Sequence, residues 1–135
     1  MRSNPRRRTR LSPALQTYLE TAVWSSSAWH KMRPGDTNPE PLDRYYSAAD
    51  FTQASVREAE AEVEEFVELN REALEASGMP EDRWGRDFWL TRNRHGAGFW
   101  DGYYGEYGAH LTRAAHAYGE VEVEPASDGK LRFSR

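Results

Sequence analysis

Residues 52–78 constrain this chain more than any other segment. Val56, Ala59, Val63, Phe66, Val67, Asn70 and Leu74 recur at three- and four-residue spacing, the period of one helix face. Thr52 stands where a side-chain cap belongs, and Gly78 supplies the stop. Eight of the remaining positions are Glu: 58, 60, 62, 64, 65, 68, 72 and 75. A helix over 53–77 with one apolar stripe and acidic flanks is not stable alone, so the rest of the chain must cover the stripe.

What is available to cover it is aromatic. The chain has nine Leu and six Val but no Ile, against five Trp, seven Tyr and five Phe. Rings bury a large area per residue, so a core short of aliphatics can still form around them. The 135 residues suffice for one small domain. No cysteine is present, which excludes disulfides, zinc-thiolate sites and thiol nucleophiles. No apolar run approaches the roughly 18 residues that span a bilayer, so no membrane association is expected. The basic N-terminus lacks a following apolar segment and does not read as a secretory signal.

The other elements follow from punctuation and period. Ser12-Pro13 opens a helix carrying Leu11, Leu15, Tyr18, Leu19, Ala22 and Val23 on one face, ending near Ser25. Breakers crowd residues 26–46, which read as an extended loop. Pro80 opens a further helix with Trp84 and Phe88 on one side, although Phe88-Trp89-Leu90-Thr91 also has strand character. Gly96, Gly98 and Gly102 mark a loop, and a last helix runs from about Tyr104 to Tyr118. Val121 and Val123 alternate with Glu120, Glu122 and Glu124, and Leu131-Arg132-Phe133 follows the Asp128-Gly129 turn; this predicts a hairpin. The fold class expected is α+β: a helix-dominated small single domain of three or four helices with a C-terminal β-hairpin. The chain divides into a disordered basic arm at 1–10, a peripheral helix and Pro/Gly-rich loop at 11–41, and a single α+β domain at 42–135.

Charge is segregated along the chain. Residues 1–10 carry five arginines and no acid, residues 40–82 hold thirteen acids against three arginines, and residues 83–113 are slightly basic. A basic arm invites a nucleic-acid reading, since arginines release counterions from phosphate. Arginine richness is weak testimony here, because 16 Arg against 2 Lys, together with 16 Ala and no Ile, reflects GC-rich coding as much as function.

One segment has the composition of a site. Around residues 86–104, Arg92, Asn93, Arg94, His95 and Asp101 interleave with Gly96, Gly98 and Trp100. Glycine lets backbone amides approach a ligand, guanidinium groups grip phosphate or carboxylate, and rings stack bases. The loop also precedes a helix, whose N-terminus favours anions. Equally, Asp101 can cap that helix and Trp100 can belong to the core. The spacing matches neither a P-loop nor a dinucleotide fingerprint. His95 and Asp101 are six residues apart across glycines and could meet around one ion or one water. His110 and His116 point about 120° apart on a helix and cannot be joint ligands.

The run Asp87-Phe88-Trp89-Leu90-Thr91-Arg92-Asn93, followed by His95-Gly96-Ala97-Gly98-Phe99-Trp100-Asp101, resembles a group of small bacteriophage-encoded proteins of unknown function that share a DFWLTRN-x-HGAGFWD motif. The likeness extends over about residues 42–133, through Phe51, the acidic helix, Ala117-Tyr118-Gly119 and the Asp128-Gly129-Lys130 turn. It departs at Arg94, where the group often has glycine, which argues against a tight turn there. The resemblance implies a phage protein located in the cytoplasm of an infected bacterium. It brings no activity with it.

The function expected is that of a small accessory protein that binds rather than catalyses. Its partner would be an anionic ligand, nucleotide or nucleic acid, or a host protein, met through the Arg92–Asp101 loop. No cofactor and no metal are expected, and no catalytic residue is assigned. Two alternatives stand beside this reading: a metal-assisted hydrolase using His95 and Asp101, and an inhibitor of host defence or polymerase presenting the acidic helix 53–77.

Overall fold

A computed structural model describes residues 11–28 and 40–135. The basic arm at 1–10 and most of the expected Pro/Gly-rich loop lie outside the described residues.

The fold is α+β, dominated by helices and ending in a two-stranded antiparallel sheet. The first helix, α1 (Pro13–Trp24), starts as its sequence dictates, with the Ser12 hydroxyl accepting the Leu15 N–H at 3.1 Å and proline in the first turn. Its position is not peripheral. Ala14, Leu15, Tyr18, Leu19, Ala22 and Val23 are all buried, mainly against the helix α4 (Glu81–Arg92). The expected boundary at 41/42 is therefore corrected: α1 supplies aliphatic stem and a tyrosine to a core otherwise crowded with rings, and belongs to the same unit. Two features hold it there. Gly85 faces the Ala14 carbonyl so closely that a Cβ would overlap the oxygen, and the Trp89 indole N–H donates to Ser25 Oγ at 2.8 Å.

Between α1 and the acidic helix the chain makes a two-residue antiparallel pair, β1 (Ser27–Ala28) with β2 (Glu40–Pro41), then two 3₁₀ turns at Leu42–Arg44 and Ala48–Asp50. The acidic segment does form a helix, capped by Thr52 Oγ1 on the Ser55 N–H at 3.1 Å. It divides at Asn70 into α2 (Gln53–Leu69) and α3 (Arg71–Ala76). The polar residue in the apolar stripe is the cause. Asn70 is buried, its amide donates to the Phe66 carbonyl at 2.8 Å, and its side-chain oxygen lies 3.0 Å from His110 Nε2. This split gives five α-helices among the described residues where three or four were expected.

Residues 81–92 are helical throughout, which settles Phe88–Thr91 as helix. A 3₁₀ turn at Gly105–Tyr107 leads into α5 (Gly108–His116), shorter than the periodicity predicted. The hairpin pairs β3 (Glu122–Pro125) with β4 (Leu131–Ser134), Val123 opposite Phe133. It is tied to the helices where the Thr52 N–H donates to the Leu131 carbonyl at 3.1 Å. Rings fill the centre: Phe66 stacks on Phe88 at 4.2 Å, Tyr18 meets Trp89 edge-on at 5.3 Å, and Phe51 stacks on Phe133 at 4.7 Å. No helix of the described residues is long and apolar enough to cross a membrane.

Candidate docking surface

The motif at 87–101 begins inside the molecule. Asp87 is fully buried, its carboxylate accepting the Tyr104 hydroxyl at 2.8 Å and Arg86 Nη1 at 2.6 Å, with Arg83 Nε 3.5 Å away. Burial raises the Asp87 pKa above the usual carboxylate range, against the opposing pull of Tyr104, Arg83 and Arg86. Phe88, Trp89 and Leu90 are core. Thr91, also buried, accepts the Phe99 N–H at 3.0 Å and so pins the returning loop to α4.

Arg92 is the largest departure from expectation. Assigned to an anion, it instead lies wholly inside. Nε donates to the Gly119 carbonyl at 2.9 Å and Nη2 to the Tyr118 carbonyl at 3.0 Å. Nη1 donates to the Tyr18 hydroxyl at 3.0 Å and to Glu62 Oε1 at 2.8 Å. The cation thus satisfies carbonyls just beyond the C-terminus of α5, where the helix dipole favours it, and Glu62 balances its charge. Four bonds and full burial leave it no surface for a ligand, so the ligand-binding assignment of Arg92 is withdrawn. Asn93 is likewise structural in its bonding: its oxygen accepts the Val121 N–H at 2.8 Å and its amide donates to the Trp89 carbonyl at 3.1 Å.

The helix then closes with Arg94 in the left-handed region, φ 57°. The Arg94 N–H reaches the Thr91 carbonyl at 3.0 Å and the His95 N–H the Leu90 carbonyl at 2.9 Å, the pair of bonds of a Schellman stop. The tight turn forms without the glycine. Gly98 passes so close to Thr91 Oγ1 that any Cβ would collide with it, which is the reason for glycine at that point. Asp101 Oδ2 accepts the Gly98 N–H at 3.2 Å, stabilising the loop rather than capping α5. Its other oxygen, Oδ1, is buried with no hydrogen-bond partner among the described residues.

His95 and Asp101 are turned to different neighbours. His95 lines a groove with Trp89, Asn93 and β3, whereas Asp101 bonds Gly98 and raises the Asp87 pKa through its charge. Among the described residues, no three His, Asp or Glu side chains gather as metal ligands.

The outward side of the loop is different in kind. Arg94 and Gly96 are exposed, Trp100 is 53% exposed and Tyr103 63%. The Arg83 guanidinium lies over the Tyr103 ring, 5.1 Å from its centre, while its Nε sits by Asp87. The pairing of Arg83 with Tyr103 is not legible in the sequence, since a 20-residue separation carries no periodic signal. Of the eight residues singled out in the sequence, then, Arg92, Asn93 and Gly98 stitch the interior, Asp101 braces the loop on Gly98, His95 faces a groove, and Arg94, Gly96 and Trp100 are presented to solvent. What fold and loop define is a small α+β domain holding two rings outward on an internally bonded loop. The chain matches no family model, no curated protein and no solved structure.

Proposed function

We propose that the chain is a small phage accessory protein that works by binding, docking a host protein on the outward side of the loop through Trp100 and Tyr103. One observation supports this above others: a loop tied to the core at Thr91 and Asn93 and braced within itself by Asp101 on Gly98 holds two large rings out in solvent. Trp, Tyr and Arg are the residue types that dominate binding energy at protein interfaces, and a preformed loop loses little entropy on docking. The phage origin rests on the resemblance of the motif, and the bacterial cytoplasm as location follows from it. The burial of Arg92 turns the partner from a small anion toward a protein surface.

The test is capture from host lysate with wild type and with Trp100→Ala/Tyr103→Ala. The double variant should lose about 2–4 kcal/mol of affinity, a hundredfold or more, with an unchanged melting temperature. Capture that survives the double variant but fails on Glu60→Gln/Glu64→Gln would transfer the activity to the acidic helix. Salt-sensitive binding of single-stranded nucleic acid by wild type, lost with Arg94→Ala, would restore the anionic-ligand reading.

A further inference from the structure

The β4 edge of the hairpin is tied to the helices at the Leu131 carbonyl, with Phe133 beyond it left unpaired among the described residues, while the β3 edge is unpaired at Val123 and borders a groove. The Ala126 N–H donates to the Lys130 carbonyl at 2.9 Å, and Glu124 pairs with Arg132 and Glu122 with Ser134. In an antiparallel ladder bonded pairs alternate, so the main-chain groups of Glu122 and Glu124 face β4 while those of Val121, Val123 and Pro125 face away. Val121 confirms the phase, since its N–H donates outward to Asn93. On β4, the outward Leu131 carbonyl is taken by Thr52. On β3, neither the N–H nor the carbonyl of Val123 has a partner among the described residues.

That edge borders a groove of about 620 Å³ lined also by Ser26, Ser27, Trp89, Asn93 and His95. Val121 and Val123 turn their side chains into the core, whereas Glu120, Glu122 and Glu124 are exposed, and none of these three carboxylates has an ion-pair partner among the described residues. An unpaired strand edge is a template for another strand, and natural edges are commonly guarded by lysine or proline. Here Pro125 guards one end, and the remaining guards are acidic.

We propose that β3 is the docking edge for an extended, basic peptide segment of a partner protein, which joins the hairpin as a third strand. The main chain of the peptide bonds Val123; its alternate side chains, Lys or Arg, lie beside Glu122 and Glu124, and the intervening ones are small or apolar and turn toward the groove. This surface is separate from Trp100 and Tyr103 and does not depend on them.

The experiment titrates the ¹⁵N-labelled full chain with the peptide Ser-Lys-Val-Lys-Val-Lys, blocked at both ends. Three controls run beside it: the Glu-for-Lys peptide, a peptide N-methylated at alternate residues, and scrambled Lys/Val/Ser. The proposal expects the Val123 amide to shift and become protected from exchange. It expects the Glu peptide to bind at least about tenfold more weakly and the N-methylated peptide not to bind. Glu122→Gln/Glu124→Gln, whose side chains are exposed, should weaken the Lys peptide about tenfold with the fold intact. Equal binding of the N-methylated or scrambled peptide, or an undisturbed Val123 amide, overturns it in favour of diffuse charge attraction. A Val123 amide already protected without peptide also overturns it: loss of that protection on dilution would make the occupant a second copy, and loss in a Lys31→Ser/Arg33→Ser variant would make it the chain's own segment.

Discussion

Arg94 sits where helices ordinarily place glycine, at φ 57°, and does so because the two stop bonds from Thr91 and Leu90 and the Asn93 side-chain bonds hold it there. A side chain in the left-handed region carries strain that glycine lacks. Arg94→Gly should therefore raise stability by about 0.5–1 kcal/mol, read as a shift in the urea midpoint with unchanged slope. The sequence argued against a turn at this point because it weighed the missing glycine without the ties that compensate for it. Arg92 was illegible for a related reason. Its charge and company fit a ligand site, and its actual partners, Tyr18, Glu62, Tyr118 and Gly119, are reached through no spacing rule. A second residue-scale consequence concerns alkali. Burial pushes the Tyr18 and Tyr104 phenols well above the ordinary tyrosine range. The folded chain keeps these protons at pH values where the unfolded chain, with phenols titrating near 10, releases them. Stability is thus insensitive to these groups below about pH 10 and falls above it by about 1.4 kcal/mol per pH unit for each. Urea unfolding from about pH 9 to pH 11 should show this slope, and Tyr104→Phe should remove one group's share of it.

Among the elements, α1 and α4 share the most extensive contact, and Gly85 lets their backbones come close. A methyl group at that position would overlap the Ala14 carbonyl oxygen and stand 2.7 Å from Thr17 Oγ1. Gly85→Ala gains helix propensity but forces the two helices apart. A net loss of about 2–3 kcal/mol is expected, with a corresponding fall in melting temperature; a neutral or stabilised variant would show that the crossing yields easily. Helix existence was legible wherever period and caps coincided, as at Ser12-Pro13 and Thr52, and the hairpin was legible from alternation and the Asp128-Gly129 turn. The break at Asn70 was not, because it depends on what His110 brings from 40 residues away.

For the molecule as a whole, the correction to α1 matters most. Tyr18 alone touches the rings of Phe88, Trp89 and Phe133 and accepts the Arg92 bond. A fragment of residues 42–135 would leave those groups without cover, and it should lack near-ultraviolet ellipticity and dispersed amide resonances. A folded fragment would return α1 to the periphery. The outward aromatic surface, by contrast, was only half legible: composition pointed to the loop, but which of its residues face solvent is decided by the core they leave behind.

The Arg92 knot also bears on the order in which the chain organises. Its four acceptors are 26, 27, 30 and 74 residues away along the chain. Each bond waits on the closure of a long loop, and the last waits on the docking of α1. The guanidinium accordingly has all four partners only when α1, α2 and the segment after α5 are docked on α4 together, so one side chain ties the two ends of the chain to its middle.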